Sequence, residues 1–333
     1  MSVMNKRQII EYLSAPDAAA LFARADAVRQ QCCGDEIYLR GIIEVSNDCR
    51  RDCCYCGLRR SNTALPRYRL TPEEIVAAAE LAARLGYGSV VIQSGESSGY
   101  ECAQMCRIIR AIKEKTGLAV TLSLGECAAD EYRQFRESGA DRYLLKIETT
   151  NRQLFRALKP DSSWENRRRC LEELRCLGYQ LGSGIMVGLP GQTLADIAAD
   201  LLQLQAWELD MIGIGPFIPH PDTPLAGAAP GSAELAVRAV ALMRILCPYA
   251  HLPATTALGS IDPQGRQKAL CAGANVLMPN VTPQSYRSLY AIYPHKVCID
   301  ETTDACAGYT HALSASLGRR ISNGPGHSLR PAR

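Results

Sequence analysis

The sequence predicts an α/β fold, a (β/α)8 barrel of the TIM type preceded by helices, and two observations carry that prediction. Eight short apolar or β-rich runs alternate with helical segments over most of the 333 residues, the order that a parallel sheet with crossover helices requires. The G-x-G-x-x-G turn that marks the first strand of an open doubly wound sheet is absent, and the first strand runs into cysteines instead.

Residues 5–31 read as two short helices, the second over 17–31 with an acidic start at Asp17 and an alanine-rich body. The strand candidates are residues 38–45, 89–93, 119–124, 143–147, 184–187, 211–215, 253–256 and 276–278. Thr71 to Leu85 is the clearest helix between them. Pro72 suits the first helical position, Glu74 stands at capping-box spacing from Thr71, and Ile75, Ala78, Ala79, Ala82 and Leu85 keep helical spacing before Gly86 ends the run. No long linker divides the chain. Three regions are expected: an N-terminal helical cover over 1–36, a barrel over 37–317, and a loose basic tail over 318–333, where Gly, Pro and Ser accumulate.

Hydrophobic residues make up 47% of the chain and charged residues 21%, which excludes a disordered or collagen-like protein. A net charge of +3, from 37 basic and 34 acidic residues, is too balanced to point to nucleic acid or a membrane surface. No run reaches the roughly 18 to 20 apolar residues that span a bilayer. The opening MSVMNKRQIIEYL lacks the apolar core of a signal peptide. A reducing cytoplasm is therefore expected, where the 15 cysteines point to metal or redox chemistry before disulfides. Cys102, Cys106, Cys170, Cys176, Cys247 and Cys271 are scattered and read as small buried apolar residues.

The loop after the first strand runs Ser46-Asn47-Asp48-Cys49-Arg50-Arg51-Asp52-Cys53-Cys54-Tyr55-Cys56-Gly57. Cys49, Cys53 and Cys56 form C-x3-C-x2-C, and three thiolates can each take one iron of a cubane cluster while the fourth iron stays open. Structural zinc would want four ligands, and apart from adjacent Cys54 no convincing fourth stands nearby.

With Tyr55 as the aromatic residue before the last cysteine, this stretch resembles the signature C-x3-C-x-Φ-C of the radical S-adenosylmethionine (SAM) family. The resemblance implies a 4Fe-4S cluster whose open iron chelates the amino and carboxylate groups of SAM. It also implies reductive cleavage of SAM to a 5'-deoxyadenosyl radical, with the protein supplying position and shielding. Gly95 and Glu96, in Gln93-Ser94-Gly95-Glu96, resemble the family's GGE-like motif for the methionyl amino group. Glu148 is placed to bind ribose hydroxyls, Arg167 to clamp the SAM carboxylate, and the segment from Gly184 through Met186 to Thr193 to let backbone approach adenine. All stand at the C-terminal ends of predicted strands, where barrel chemistry is located.

Longer stretches, among them residues 38–57, 67–74, 120–126, 213–225 and 274–283, resemble the HydE group, maturases of FeFe-hydrogenase related to biotin synthase and methylornithine synthase. That resemblance implies a small organometallic or sulfur-containing substrate, a reductant such as ferredoxin or flavodoxin, and HydG and HydF as partners. It also implies a substrate cavity lined by Thr121, Ser123, Met211, Thr255, Thr256, Met278, Tyr286, Tyr290 and Tyr293, positions that barrel filling could equally explain. Two departures stand out. Arg-His-Glu-Thr of the group is Lys146-Ile147-Glu148-Thr149 here, which puts the substrate in question. The second-cluster run C-x7-C-x2-C of some members keeps Cys298 and Cys306 but has Tyr309 in third place, so a second cluster is expected to be absent or degenerate and the pair to be packing residues. His220 reads as ordering its loop.

The reading is thus a radical SAM enzyme of HydE type. The alternatives are a HydE-like paralogue with another small substrate and a non-catalytic iron-sulfur or zinc scaffold.

Overall fold

The computed structural model describes residues 4–97 and 99–330. Its strands are β1 (Glu36–Ser46), β2 (Ser89–Ser94), β3 (Ala119–Ser123), β4 (Arg142–Leu144), β5 (Gln180–Val187), β6 (Met211–Pro216), β7 (Val276–Leu277) and β8 (Arg320–Ser322). Its helices are α1 (Lys6–Ser14), α2 (Ala19–Cys33), α3 (Pro72–Arg84), α4 (Cys102–Thr116), α5 (Ala129–Glu137), α6 (Arg152–Leu158), α7 (Trp164–Cys176), α8 (Leu194–Ala206), α9 (Ala233–Leu246), α10 (Thr256–Ile261), α11 (Gly265–Cys271), α12 (Gln284–Arg287) and α13 (Thr303–Ser316).

Consecutive strands from β1 to β6 pair in parallel, and β1 pairs with β7 on its other side. Each connection crosses over through a helix that covers the outer face of the strands while their inner face is buried in the barrel interior, which explains why β1 is buried from Ile37 to Ser46 without alternation. The capping box at Thr71 forms as its sequence predicts: Glu74 N–H donates to Thr71 Oγ1 at 3.2 Å and Thr71 N–H to Glu74 Oε2 at 2.7 Å. Helices α1 and α2 pack outside the ring, against α8 and α9.

Two expectations change. Residues 253–256 are no strand. Met211 bridges to His251 and Pro253 to Val276, so this segment closes the ring between β6 and β7 by short bridges alone. Thr255 and Thr256, β-branched and strand-like in sequence, instead stand at the N-cap and first position of α10. The second change concerns the tail, whose described residues 318–330 are not loose; 331–333, like 1–3 of the cover, lie outside the described residues.

Strand β8 pairs with the start of β1, and the chain then crosses the floor of the barrel. The floor holds arginines that require acceptors. Arg40 and Arg142, 4% and 0% exposed, donate to the carbonyls of Gly326 and Pro325. His251 Nε2–H donates to His327 O at 2.9 Å while its Nδ1 accepts from Asn275 Nδ2 at 3.2 Å, which fixes the tautomer. Ser328 N–H donates to Gln180 Oε1 and Ser328 Oγ to Asp210. Small residues make this close crossing possible, and the same composition reads as disorder in sequence.

Among the described residues no helix is long and apolar enough to cross a membrane.

Candidate functional site

The loop over residues 47–71 leaves the C-terminal end of β1 and folds across the barrel mouth. Asn47 anchors it, donating from Nδ2 to Pro66 O and Leu289 O, both at 2.8 Å. Cys54 N–H donates to Leu158 O at 2.8 Å and Gly57 N–H to Ile292 O at 3.1 Å, which pins the loop on opposite sides of the mouth. Gly95 makes a close approach: a Cβ there would meet Asp48 O at 2.1 Å and Cys49 Cβ at 2.8 Å, so the cysteine loop seats against the end of β2 only because the side chain is missing. Glu96 N–H then donates to Cys49 Sγ at 3.3 Å.

Cys49, Cys53 and Cys56 line one cavity of about 180 Å³, together with Tyr55, Gly95, Glu96, Ser123, Lys146, Glu148, Lys159, Arg167 and Tyr290. Cys54 is outside that lining, so the adjacent thiol does not complete a fourth ligand. Burial pushes the Cys53 and Cys56 thiols up from their ordinary range. Among the described residues, the one trio of Cys, His, Asp or Glu ligand atoms gathered within 4.8 Å of one another is Cys298, Glu301 and Cys306. The loop thiols face a shared cavity without converging that tightly, which suits one iron per sulfur on a cubane cluster better than a single ion. The donor set fits a 4Fe-4S group with three protein thiolates.

Glu96 and Arg167 meet, but chiefly each other. Arg167 Nη2 donates to Glu96 Oε2 at 2.7 Å, and its Nε lies 3.0 Å from Glu126 Oε1. Arg51, between the cysteines, bonds Glu96 through Nε and Glu126 through Nη2. Asn166 Nδ2 donates to Glu126 Oε2 at 2.6 Å. Burial opposes the charge on Glu96, but Arg167, Lys159 and Arg51 outweigh it and hold that carboxyl down at about 2. Arg167, expected as a free clamp, therefore already has two of its three nitrogens on carboxylates. Lys159, 5% exposed at the end of α6, lines the same cavity, and its ammonium forms no hydrogen bond or ion pair among the described residues.

Glu148 sits at φ 67, in the left-handed region. Two backbone bonds hold it there, from Glu148 N–H to Gly184 O and from Met186 N–H to Glu148 O, both at 3.0 Å. Its carboxylate enters the cavity, with Lys146 Nζ 3.0 Å from Oε2. Tyr55 packs on a small apolar cluster of Leu158, Met186, Leu189 and Phe217 beside the mouth. Gly184 serves a different purpose from the one its motif suggests: a Cβ would meet Gly213 O at 2.0 Å, so it lets β5 and β6 approach.

The other expected cavity residues divide. Ser123 and Tyr290 line the cavity, and Thr121 lies two residues deeper on the same strand, its buried Oγ1 without a partner. Met211 belongs to the floor, where its sulfur accepts from Arg40 Nη1 at 2.6 Å. Thr255, Thr256 and Met278 are partly buried and do not border the cysteine cavity. Tyr293 is half-buried near Glu44 and Ser260, also outside that lining. Tyr286 faces away, donating to Glu74 Oε1 at 3.1 Å. His220 is loop-bound, its Nδ1 accepting from Asp222 N–H at 3.1 Å. Sequence reasoning missed Arg51, Glu126, Lys159 and Glu301. Of these only Arg51 carried a signal, its place between the cysteines.

The profile of the radical SAM superfamily matches residues 43–204. The chain is 53% identical over 301 residues to the [FeFe] hydrogenase maturase subunit HydE of Thermotoga maritima, covering 90% of this chain and 86% of that one. It is 28% identical over 284 residues to 3-methylornithine synthase of Methanosarcina barkeri, covering 84% and 79%. The crystal structure of methylornithine synthase superposes with a TM-score of 0.85 at 23% identity, over 96% of this chain and 95% of that one, a likeness of fold.

Proposed function

The chain belongs to the radical SAM superfamily, in the family of HydE, and is an enzyme using a 4Fe-4S cluster and SAM; from that premise we propose HydE-type maturation of the FeFe-hydrogenase H-cluster. The observation that carries the assignment is one cavity shared by the three loop thiols, the strained Glu148 and two buried cations, Lys159 and Arg167. When bound, the cluster supplies an electron that cleaves SAM into methionine and a 5'-deoxyadenosyl radical.

The chain's own groups supply the rest. Cys49, Cys53 and Cys56 take three irons. The Glu96 N–H on Cys49 Sγ adds a hydrogen bond to a ligand sulfur, one of the levers on cluster potential. Glu148 presents a carboxylate to the ribose hydroxyls. Lys159 meets the SAM carboxylate beside Arg167, which remains tied into its pair of glutamates. Gly95 seats the loop, Tyr55 and Met186 form an apolar wall for the adenine side, and Ser123 and Tyr290 bound the space for substrate. A ferredoxin or flavodoxin would be the reductant, and HydG and HydF the partners in assembly.

Anaerobic reconstitution followed by dithionite and SAM tests the first part: 5'-deoxyadenosine must exceed that from a Cys53→Ala control. Turnover of the iron-cysteine synthon made by HydG tests the second. Lys146, paired with Glu148 at 3.0 Å, favours one other reading, a paralogue with a different small substrate. Active SAM cleavage without synthon turnover would select it.

A further inference from the structure

Cys298 precedes α13 and Cys306 lies in its first turns, outside the cavity of the cysteine loop. Cys306 Sγ donates to Cys298 Sγ at 3.3 Å, and Arg266 Nη2 lies 3.6 Å from the same Cys298 sulfur. The ring of Tyr309 covers Arg266, with its centroid 5.2 Å from the guanidinium carbon, and so backs that charge against the thiol. Cys298 is held at φ 67, in the left-handed region, and the preceding Val297 N–H donates to Ser260 Oγ at 3.3 Å.

Two chemistries are open to this group. A single cation could take both sulfurs and Glu301, whose ligand atoms lie within 4.8 Å of one another. Arg266 in contact with one sulfur, and Arg287 close enough to feel both, oppose a cation and favour a negative sulfur. Two sulfurs and one carboxylate also fall short of a closed four-ligand site. The redox alternative uses every group present. The Cys306 S–H and the Arg266 charge pull the Cys298 thiol down despite its burial, while donation and burial push Cys306 up. One sulfur is thereby the nucleophile, and the other waits in contact with it.

We propose that Cys298 and Cys306 form a reversible dithiol/disulfide site, oxidised by a low-molecular-weight disulfide. The Cys298 thiolate attacks one sulfur of the oxidant, forms a mixed disulfide and expels one thiolate, which takes up a proton. Cys306 loses its proton and attacks the Cys298 sulfur, which expels the second thiolate. Two protein thiols are oxidised and one disulfide is reduced to two thiols. Cys298, 5% exposed against 0% for Cys306, is the sulfur an oxidant reaches first. The bridge ties α13 to the segment carrying Lys296, whose Nζ reaches Glu44 Oε1 inside the barrel at 2.6 Å.

The test equilibrates the cluster-loaded protein anaerobically in graded mixtures of glutathione and glutathione disulfide, traps free thiols with N-ethylmaleimide and maps peptides by mass spectrometry. The expected result is a linked Cys298–Cys306 peptide pair that grows with the oxidant and disappears with dithiothreitol. Cys306→Ser should replace the link with a glutathione adduct on Cys298, whereas Cys298→Ser should leave Cys306 alkylated. The proposal is overturned if both thiols in the wild type stay alkylatable at every ratio. It is also overturned if one equivalent of zinc protects both and Glu301→Gln removes that protection, which would make the trio a metal site.

Discussion

At the barrel mouth Arg51 and Arg167 are each held between the carboxylates of Glu96 and Glu126, whereas at the floor Arg40 and Arg142 are held by the backbone carbonyls of Gly326 and Pro325. Both ends bury guanidinium groups, and an unpaired buried charge would cost several kcal/mol at either. The mouth answers charge with charge, in a network bordering a cavity built to admit an ionic cofactor. The floor answers with neutral dipoles, and burial there pulls Arg142 down to about 10. The difference separates an end that can exchange partners from one that is sealed.

Substitutions at the two ends should therefore fail differently. Cys53→Ala has the largest expected effect, reducing 5'-deoxyadenosine to background while the melting curve of the metal-free protein stays in place; a shifted curve would mean that the mouth also supports the fold. Ending the chain at Gly318 should do the converse. It removes three charged hydrogen bonds from Arg319 and the acceptors of Arg40 and Arg142, each worth about 1.5–3 kcal/mol, so the melting temperature should fall by roughly 10 °C or more. A tail that merely drapes over the surface would leave it unmoved.

Next in size, Glu126→Ala leaves Arg51 and Arg167 short of a partner. A loss of about 3–5 kcal/mol is expected in chemical unfolding, with Glu126→Gln losing less. Acid should then open the two ends in order. His251 is buried neutral, its pKa lowered by desolvation and then by Arg40, so the unfolded chain binds a proton that the floor refuses. Its contribution is complete above about 6.5 and declines as the pH falls below that. Glu96, held at about 2 against an ordinary value near 4.3, keeps its contribution to lower pH and loses it as the pH falls toward 2. Hydrogen exchange resolved along the chain should show residues 324–330 loosening before the loop over 47–71; the reverse order would contradict the contrast. Smallest is Lys146→Met, which should change SAM affinity by less than about tenfold, or about 1.4 kcal/mol, in a binding titration.

The same contrast explains what could be read from the sequence. The apolar runs of β1 to β6 declare themselves, as does the capping box at Thr71, because the signal is local. The cysteine loop is legible because its chemistry needs a fixed spacing. Glu126 and Lys159 look like ordinary solvated charges, and Arg51 stands out only by its place between the cysteines, since what makes all three functional is burial beside residues 30 or more positions away. The floor was hidden for the same reason. Nothing near Arg40 announces that Gly326 will supply its acceptor, and a Gly, Pro and Ser-rich tail has no apolar periodicity to betray its path.

Strand β1 carries the cysteine loop at one end and meets β7 and β8 along its edge, partners made more than 230 residues later. On a ribosome, the three thiols would emerge long before the seam that steadies them can close. For that interval the loop would be a thiol-rich segment without its barrel, open to adventitious metals and oxidants. Orderly loading would then depend on the timing of synthesis: iron delivered after residues 320–330 have docked meets a prepared cradle, and iron delivered earlier meets an unfinished one.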